Sequence, residues 1–417
     1  MPQPGPHPGR NRLADHSNRR KGVALDMSPD KPALPPPGPA PGAMQVAWVY
    51  VLLMGSLLLR LSVLDYSSGD YRAFLSVWYD HLVEHGRWTA LKDDFSNYPP
   101  LYLYLLSLAT FLPLPKLYSI KLLSIAADYV LAWFLFRMVR CRFPEGPRPW
   151  AAAGAVLFLP TVWFNSAVWG QCDAMFTAAL VATLYYLMSG RPLAAMVAFG
   201  LAGSLKPQAI FLMPFLVGAF PLIRIPWKHA AVPVGVYALV GLPAVLAGRP
   251  VLDVMLHWGR QTPFFRKLTV GATNWYQWLS DAHYDTFHTT GIVLTLVVTV
   301  FLILAMQQPA SMDRRAWLVT TATFSTLFAP YFLPGMHERY FYAADVFSIA
   351  YAFFVPGGWR VAAAVQCCSF FTYLPYLFER EPVPRPFLAI LMTAALVLVG
   401  RDLVRAIVQP KPEPESA

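Results

Sequence analysis

The chain has 417 residues, 56% of them hydrophobic and 13% charged, with a mean hydropathy of +0.43. The surface of a soluble globular protein cannot carry that balance, so most of the chain belongs in lipid. The formal charge of +10 does not point to nucleic acid, because Lys and Arg fall mostly in short loops between apolar runs and act as topology signals.

Residues 1–43 are rich in Pro, Gly, Arg and Asp and nearly free of aromatic and β-branched residues. Such a segment cannot bury enough surface to fold and reads as a disordered Pro-rich cytoplasmic tail. The next run, Met44 to Leu64, is long enough to stay in the membrane as a span instead of being cleaved as a signal peptide. Further apolar runs centre near residues 128, 158, 181, 199, 215, 238, 298, 324, 347, 368 and 397. At ~17–25 residues per span they give about twelve helices. The expected fold is all-α, with one polytopic membrane domain over 44–408 and a cytoplasmic tail over 409–417. The segment from Pro99 to Leu112 is the exception: it opens Pro-Pro and ends before Pro113 and Pro115, which predicts a short interfacial or re-entrant helix in the first outer loop.

Charge placement tests this threading, because Arg and Lys in short loops collect on the cytoplasmic side. With the basic tail inside and the Pro99 segment not crossing, Arg137, Arg140, Arg142, Arg148, Arg191, Arg224, Lys228, Arg314, Arg315, Arg360, Arg401 and Arg405 all fall inside. If the Pro99 segment crossed, the rule would fail at nearly every later loop. The outer face then holds residues 65–98, 169–173, 206–208, 248–290, 334–340 and 379–386, and with them most of the unusual polar residues.

In the first outer loop, SSGDYRAFLSVWYDHLVEHGRW, Phe74, Leu75, Trp78, Leu82 and Val83 form an apolar stripe on a helix lying along the membrane. Asp70 precedes that helix, either as an ordinary N-cap or as a catalytic carboxylate. Asp65 is the neighbour that would take the same role. The run NSAVWGQCD sets Asn165, Trp169, Gln171 and Asp173 at an outer membrane edge, where Trp is common as a belt residue and Asp as a cap. Lys206 lies in a long apolar stretch, so it either snorkels to the interface or offers a charge to an anionic headgroup. The loop after Gly248 mixes Arg249, His257, Arg260, Arg266 and Lys267 with Trp258, Phe264 and Phe265, a combination suited to a lipid phosphate or pyrophosphate. His337, Glu338, Arg339 and Tyr340 cluster at another outer helix end. Glu379, Arg380, Glu381 and Arg385 read as an ordinary solvated loop. The sequence holds no phosphate-cradling Gly-rich loop, no GxGxxG, and no His or Cys cluster at metal spacing, so a soluble nucleotide is not the expected donor.

The ordered motifs GDYRAF, FSNYPPL, NSAVWGQCDA, SLKPQA, ATNWYQWL and HERY resemble the GT-C superfamily of integral-membrane glycosyltransferases over roughly residues 44–408. The pattern is most similar to the mannosyltransferases of GPI-anchor assembly and their bacterial relatives. The resemblance implies a hexosyltransferase, mannose first, that takes its sugar from a polyprenyl-phosphate donor. It places the enzyme in a bacterial cytoplasmic membrane with an extracytoplasmic site, and the acceptor is a lipid, glycan or protein hydroxyl. It further implies Asp70 and Asp173 as catalytic residues, and Lys206, Gln208, Arg260, His337, Glu338 and Arg339 around the donor phosphate and sugar. Tyr98, Trp169, Gln171 and Asn274 would shape the acceptor side. Single displacement with Asp70 as general base predicts inversion at the anomeric carbon. The superfamily is mixed on divalent metal (Mg or Mn), which this pattern leaves open. The competing reading is a polytopic lipid or solute carrier, against which stand the absence of an internal repeat and the outer, non-midplane position of the polar groups.

Overall fold

The computed structural model describes residues 43–260 and 266–409, so both tails, apart from Ala43 and Gln409, lie outside the described residues. The protein is an α-helical bundle. Its only described strands are the two-residue β1 (Thr269–Val270) and β2 (Met336–His337), which pair in parallel. Five described helices are long and apolar enough to cross a membrane, or six if a pair bent by 48° counts as one span. Six shorter apolar helices lie among them.

α1 (Ala43–Leu61) leads into the first loop, where a π turn over Tyr71–Leu75 continues as α2 (Ser76–Glu84). The predicted stripe on this helix divides. Leu75, Trp78 and Leu82 are buried, with Trp78 packed on the rings of Tyr98 and Tyr102, while Phe74 and Val83 are exposed. One face thus anchors the loop to the bundle and the other presents apolar groups outward. α3 (Pro100–Ala109) begins where Pro100 fits the first helical turn, its missing N–H costing nothing there. Its ten residues rise about 15 Å, half of a bilayer's ~30 Å hydrocarbon core, so α3 is too short to span by itself.

α4 (Lys116–Arg142) is the longest helix, and α5 (Arg148–Phe158) returns beside it. Pro160 forces Leu159 out of the helical region (ψ 123°), which bends α5 away from α6 (Pro160–Trp163). α6 widens into a π turn over Phe164–Trp169 that stops at Gly170, whose φ of +81° suits a residue without Cβ. α7 (Asp173–Met188) starts three residues on and is buried along nearly its whole length between α4, α8 (Pro192–Leu205), α14 (Arg314–Phe332) and α15 (Tyr342–Phe354). Ala174, Ala178, Ala182, Ala195, Ala198 and Ala202 are all buried in α7 and α8. Small side chains of this kind allow the close approach that drives helix association in lipid.

A 3₁₀ turn at Pro207–Leu212 runs into α9 (Met213–Leu222), followed by α10 (Val232–Leu246), the short α11 (Val251–Met255) and α12 (His257–Arg260), and α13 (Tyr284–Met306). α16 (Trp359–Phe378) and α17 (Arg385–Val408) complete the chain. At one end of the bundle Arg142 donates to the carbonyl of Phe354 and Arg315 to that of Cys141, so the basic termini gather there. The ends of α6, α8, α14 and α16 and the starts of α7 and α15 meet at the opposite end.

Candidate active site

Four separate stretches of chain meet around Asp70 at that second end. Asp70 stands at the start of the Tyr71 π turn, yet its carboxylate makes no capping hydrogen bond. Instead it turns inward and is only 8% exposed. Its Oδ2 accepts the indole N–H of Trp169 at 2.9 Å and the amide of Gln171 at 2.5 Å, and its Oδ1 accepts the hydroxyl of Tyr376. The irregular backbone on either side makes this convergence reachable. The π turn ahead of Gly170 swings Trp169 and Gln171 toward the first loop, and the Ser68 hydroxyl fastens the two by donating to the Trp169 carbonyl at 2.8 Å.

Asp173, in the first turn of α7, is buried too. It receives the Asn165 amide on Oδ2 at 2.8 Å and the Lys206 ammonium on Oδ1 at 2.5 Å. Gln171 couples the two carboxylates: its amide nitrogen reaches Asp70, while its Oε1 accepts the Tyr98 hydroxyl at 2.9 Å and lies 3.4 Å from Lys206 Nζ. Lys206 also sits 5.1 Å from the Tyr98 ring centre, so it is enclosed and does not snorkel outward.

Arg339 closes the arrangement. It bonds Glu338 at 3.0 Å, stands 3.8 Å from Asp70 and 3.7 Å from Asp173, and lies 5.4 Å over the Trp169 ring. Its Nε is buried without a hydrogen-bond partner, which leaves one N–H uncommitted beside both carboxylates. His337, at the rim, approaches Glu338 at 3.8 Å. Burial favours the neutral form of Lys206, but Asp173 outweighs it and holds the ammonium's pKa above its ordinary value. Burial likewise works against charge on Glu338, while the His337 hydrogen bond and Arg339 bring its carboxyl below the ordinary value.

The other predicted residues lie around this centre. Gln208 is buried with its Oε1 unpaired. Asn274 is buried beneath the β1 loop and reaches the Pro330 carbonyl at 3.4 Å without bonding to either carboxylate. The side chain of Arg260 lies outside the described residues, as do Phe264 and Phe265. Asp65 stays exposed and accepts the Tyr118 hydroxyl, away from the cluster. Tyr376 was missed by sequence reasoning. Its signal was present but weak: a tyrosine after Pro375, three residues before Glu379, at a helix end that the charge count assigns to the same face as Asp70.

A divalent cation does not fit this donor set. Among the described residues no three His, Cys, Asp or Glu side chains come together as a ligating group. The oxygens of Asp70 and Asp173 are already occupied by protein N–H and O–H donors. Positive charge at the centre comes from Lys206 and Arg339.

The sequence matches glycosyltransferase family 87 over residues 95–330, more than half of the chain. The chain belongs to glycosyltransferase family 87. No curated protein matches it. As a family 87 member it is a membrane glycosyltransferase acting on a sugar donor and an acceptor, and the carrier reading is set aside. The matched stretch takes in Tyr98, Trp169, Gln171, Asp173 and Lys206. In this family 87 enzyme Asp70, Arg339 and Tyr376 fall outside that stretch and are brought to it by the fold.

Proposed function

We propose that the protein transfers a hexose, mannose in the first instance, from a polyprenyl-phosphate sugar to an acceptor hydroxyl, with Asp70 as general base. The observation that carries this reading is the Asp70 carboxylate, buried, oriented by Trp169 and Gln171, and flanked by the buried Lys206 and the half-buried Arg339. A hydroxyl that attacks an anomeric carbon must lose its proton as the new bond forms. Asp70 Oδ1 accepts that proton, the acceptor oxygen bonds to C1, and the C1–O electron pair departs on the phosphate. Attack opposite to the leaving group inverts the anomeric configuration.

Lys206 and the free N–H of Arg339 stabilise the charge that grows on the leaving phosphate, where water-excluded cations act most strongly. Asp173 is a positioning residue in this scheme, because Lys206 and Asn165 occupy it. A polyprenyl donor suits a site at the ends of lipid-facing helices, among them α13 and α10 with their exposed Leu, Val and Phe side chains. The basic helix termini lie at the other end of the bundle, which by the positive-inside rule supports an extracytoplasmic site.

The test uses the purified full chain in lipid nanodiscs, with polyprenyl-phosphate-mannose and polyprenyl-phosphate-glucose as donors and release of polyprenyl phosphate as the signal. Asp70→Asn is expected to lower turnover by about 10²–10⁴-fold, the range of general-base catalysis. Wild-type turnover in that variant would remove Asp70 from the role, and indifference to both donors would remove the polyprenyl-phosphate class.

A further inference from the structure

Beside Asp70 a cleft of about 890 Å³ opens between the start of the first loop and the end of α16. Its size falls within the range of small-molecule sites, ~300–1,000 Å³. Tyr66 and Arg72 line one wall, and Tyr376, Phe378, Glu379 and Arg380 the other. Tyr376 links this cleft to the proposed base. Tyr376 is 43% exposed and lines the cleft, and its ring stacks on Trp169 with centroids 4.7 Å apart, while its hydroxyl bonds Asp70 Oδ1.

The hydrogen bonding of Asp70 gives a direction of approach. Oδ2 already accepts two N–H groups, from Trp169 and Gln171, so its capacity is filled. Oδ1 accepts one protein donor, the hydroxyl of Tyr376, whose side chain belongs to the cleft wall. A hydroxyl arriving through the cleft meets Oδ1, and to bond it in line it must take the position that the phenol holds. The cations are on the other side of the carboxylates, at Lys206 and Arg339.

The lining defines the ligand's chemistry. Three aromatic faces alternate with charged groups of both signs, Arg72 and Arg380 against Glu379. A phosphate, which only accepts hydrogen bonds, would leave Glu379 without a donor, and an alkyl chain would strand all three charges. A neutral polyhydroxyl ring fits: its C–H faces cover the aromatic rings and its hydroxyls bond the guanidinium and carboxylate groups. Glu379 is also held at φ 55°, a left-handed conformation that non-glycine residues rarely adopt. Strain of this kind gathers at ligand clamps, and here it turns Glu379 and Arg380 at the end of α16.

We propose that this cleft is the acceptor subsite, that the acceptor is a sugar, and that its hydroxyl displaces the Tyr376 hydroxyl from Asp70 Oδ1. The proposal rests on Asp70 as the base. In the step itself the acceptor proton passes to Oδ1, the acceptor oxygen bonds C1 of the donor, and the bond pair leaves on the phosphate. Tyr376 is a positioning residue that occupies Oδ1 until the acceptor replaces it.

The full chain in nanodiscs is assayed with polyprenyl-phosphate-mannose as donor and with octyl α-mannoside, octyl α-glucoside and octyl β-galactoside as acceptors. Saturable transfer to at least one glycoside is expected. Leu374→Trp, which fills the cleft, raises the glycoside KM by about tenfold or more and leaves the donor KM unchanged. Arg72→Ala, on the exposed rim, shifts the same constant and replaces the Trp variant if that fails to fold. Tyr376→Phe keeps the ring and removes the competing hydroxyl, so the glycoside KM falls several-fold while the donor KM holds. A structural role for Tyr376 would not improve KM.

An unmoved glycoside KM in both cleft variants, or a raised donor KM in its place, overturns the subsite. If no glycoside is accepted while the wild type still hydrolyses the donor, the sugar class is overturned. Asp70→Asn run in parallel separates the two readings. Transfer that survives in it removes the base reading, whereas loss of transfer with unmoved KM values in the cleft variants removes the cleft alone.

Discussion

Two of the buried charge systems among the described residues differ in access. Arg60 and Asp128 meet at 2.8 Å with both side chains fully buried. The guanidinium also donates to the carbonyls of Ser56 and Leu157 at 3.0 and 2.9 Å, and Ser166 donates to Asp128 at 2.5 Å. The pair thereby ties α1 to α4, α5 and the π turn, with every contact made inside the protein. The Asp70 cluster is held differently. Its base is gripped by neutral N–H and O–H donors, its arginine stands almost 4 Å from both aspartates with one N–H free, and an open cleft adjoins it. An ionisable residue within a membrane domain is a functional candidate by default. The contrast shows that burial of charge alone does not distinguish a clamp from a site. Access does, since Arg60 Nη2 and Asp128 Oδ1 are likewise buried without a hydrogen-bond partner but the cleft does not adjoin them.

Two substitutions should split the systems most widely. Asp70→Asn is expected to lose about 10²–10⁴ in turnover, because the amide cannot take a proton but still fits among its donors. Thermal unfolding in detergent should remain near wild type. Arg60→Met leaves Asp128 buried without its partner, which costs about 3–5 kcal/mol of stability. Turnover per folded molecule should persist there, and adding Asp128→Leu should restore much of the lost melting temperature. An Arg60→Met enzyme that is stable but inactive would break the comparison. Lys206→Met comes next. Lys206 shares the tight geometry of the clamp, at 2.5 Å from Asp173, but belongs to the cluster. Donor kcat/KM is expected to drop by about 10²–10³-fold, as for loss of one stabilising group at a developing charge. A drop in stability with donor kcat/KM intact would move Lys206 into the structural class.

The two systems also differed in how visible they were in the sequence. The cluster was legible because its members interrupt apolar runs at helix ends: NSAVWGQCD, SLKPQ and HERY each set polar groups where a span should finish. A charge count over later loops placed them on one face, given a Pro99 segment that does not cross, and the ten-residue α3 is short for a span. Arg60 and Asp128 gave no such signal, since each is a single charge inside an apolar run and their meeting depends on how α1 packs on α4. The same limit hid Tyr376. Spacing along a chain can report that a tyrosine sits at a helix end, but only the packing of α16 against the first loop brings it to Asp70. The double occupancy of Gln171, with one end on Asp70 and the other on Tyr98 and Lys206, likewise follows from the π turn before Gly170, which no residue pattern announced.

The smallest expected effect tests the slack around Arg339 from a distance. Gly271 has φ +90° and bridges to His337, and a Cβ built on it would lie 3.3 Å from Glu338 Cβ and 3.4 Å from its Oε2. Gly271→Ala therefore meets left-handed strain of about 1–2 kcal/mol and pushes on Glu338. The carboxyl of Glu338 is held below its ordinary value by His337 and Arg339 against the pull of burial. A depressed folded pKa contributes stability that is present above the unfolded value of 4.5 and is lost as pH falls below it through the folded value. Loosening the Glu338 contacts raises the folded value toward 4.5 and shrinks that contribution. The variant should then unfold at a lower temperature, by most above pH 4.5, and its acid limb should be shallower than that of the wild type because less of this contribution remains to be lost. Melting curves taken from pH 7 down to pH 3 read both shifts. A uniform drop with an unmoved acid limb would mean that the alanine strains the β1 loop without reaching Glu338, and that the contacts of Arg339 are stiffer than their distances imply.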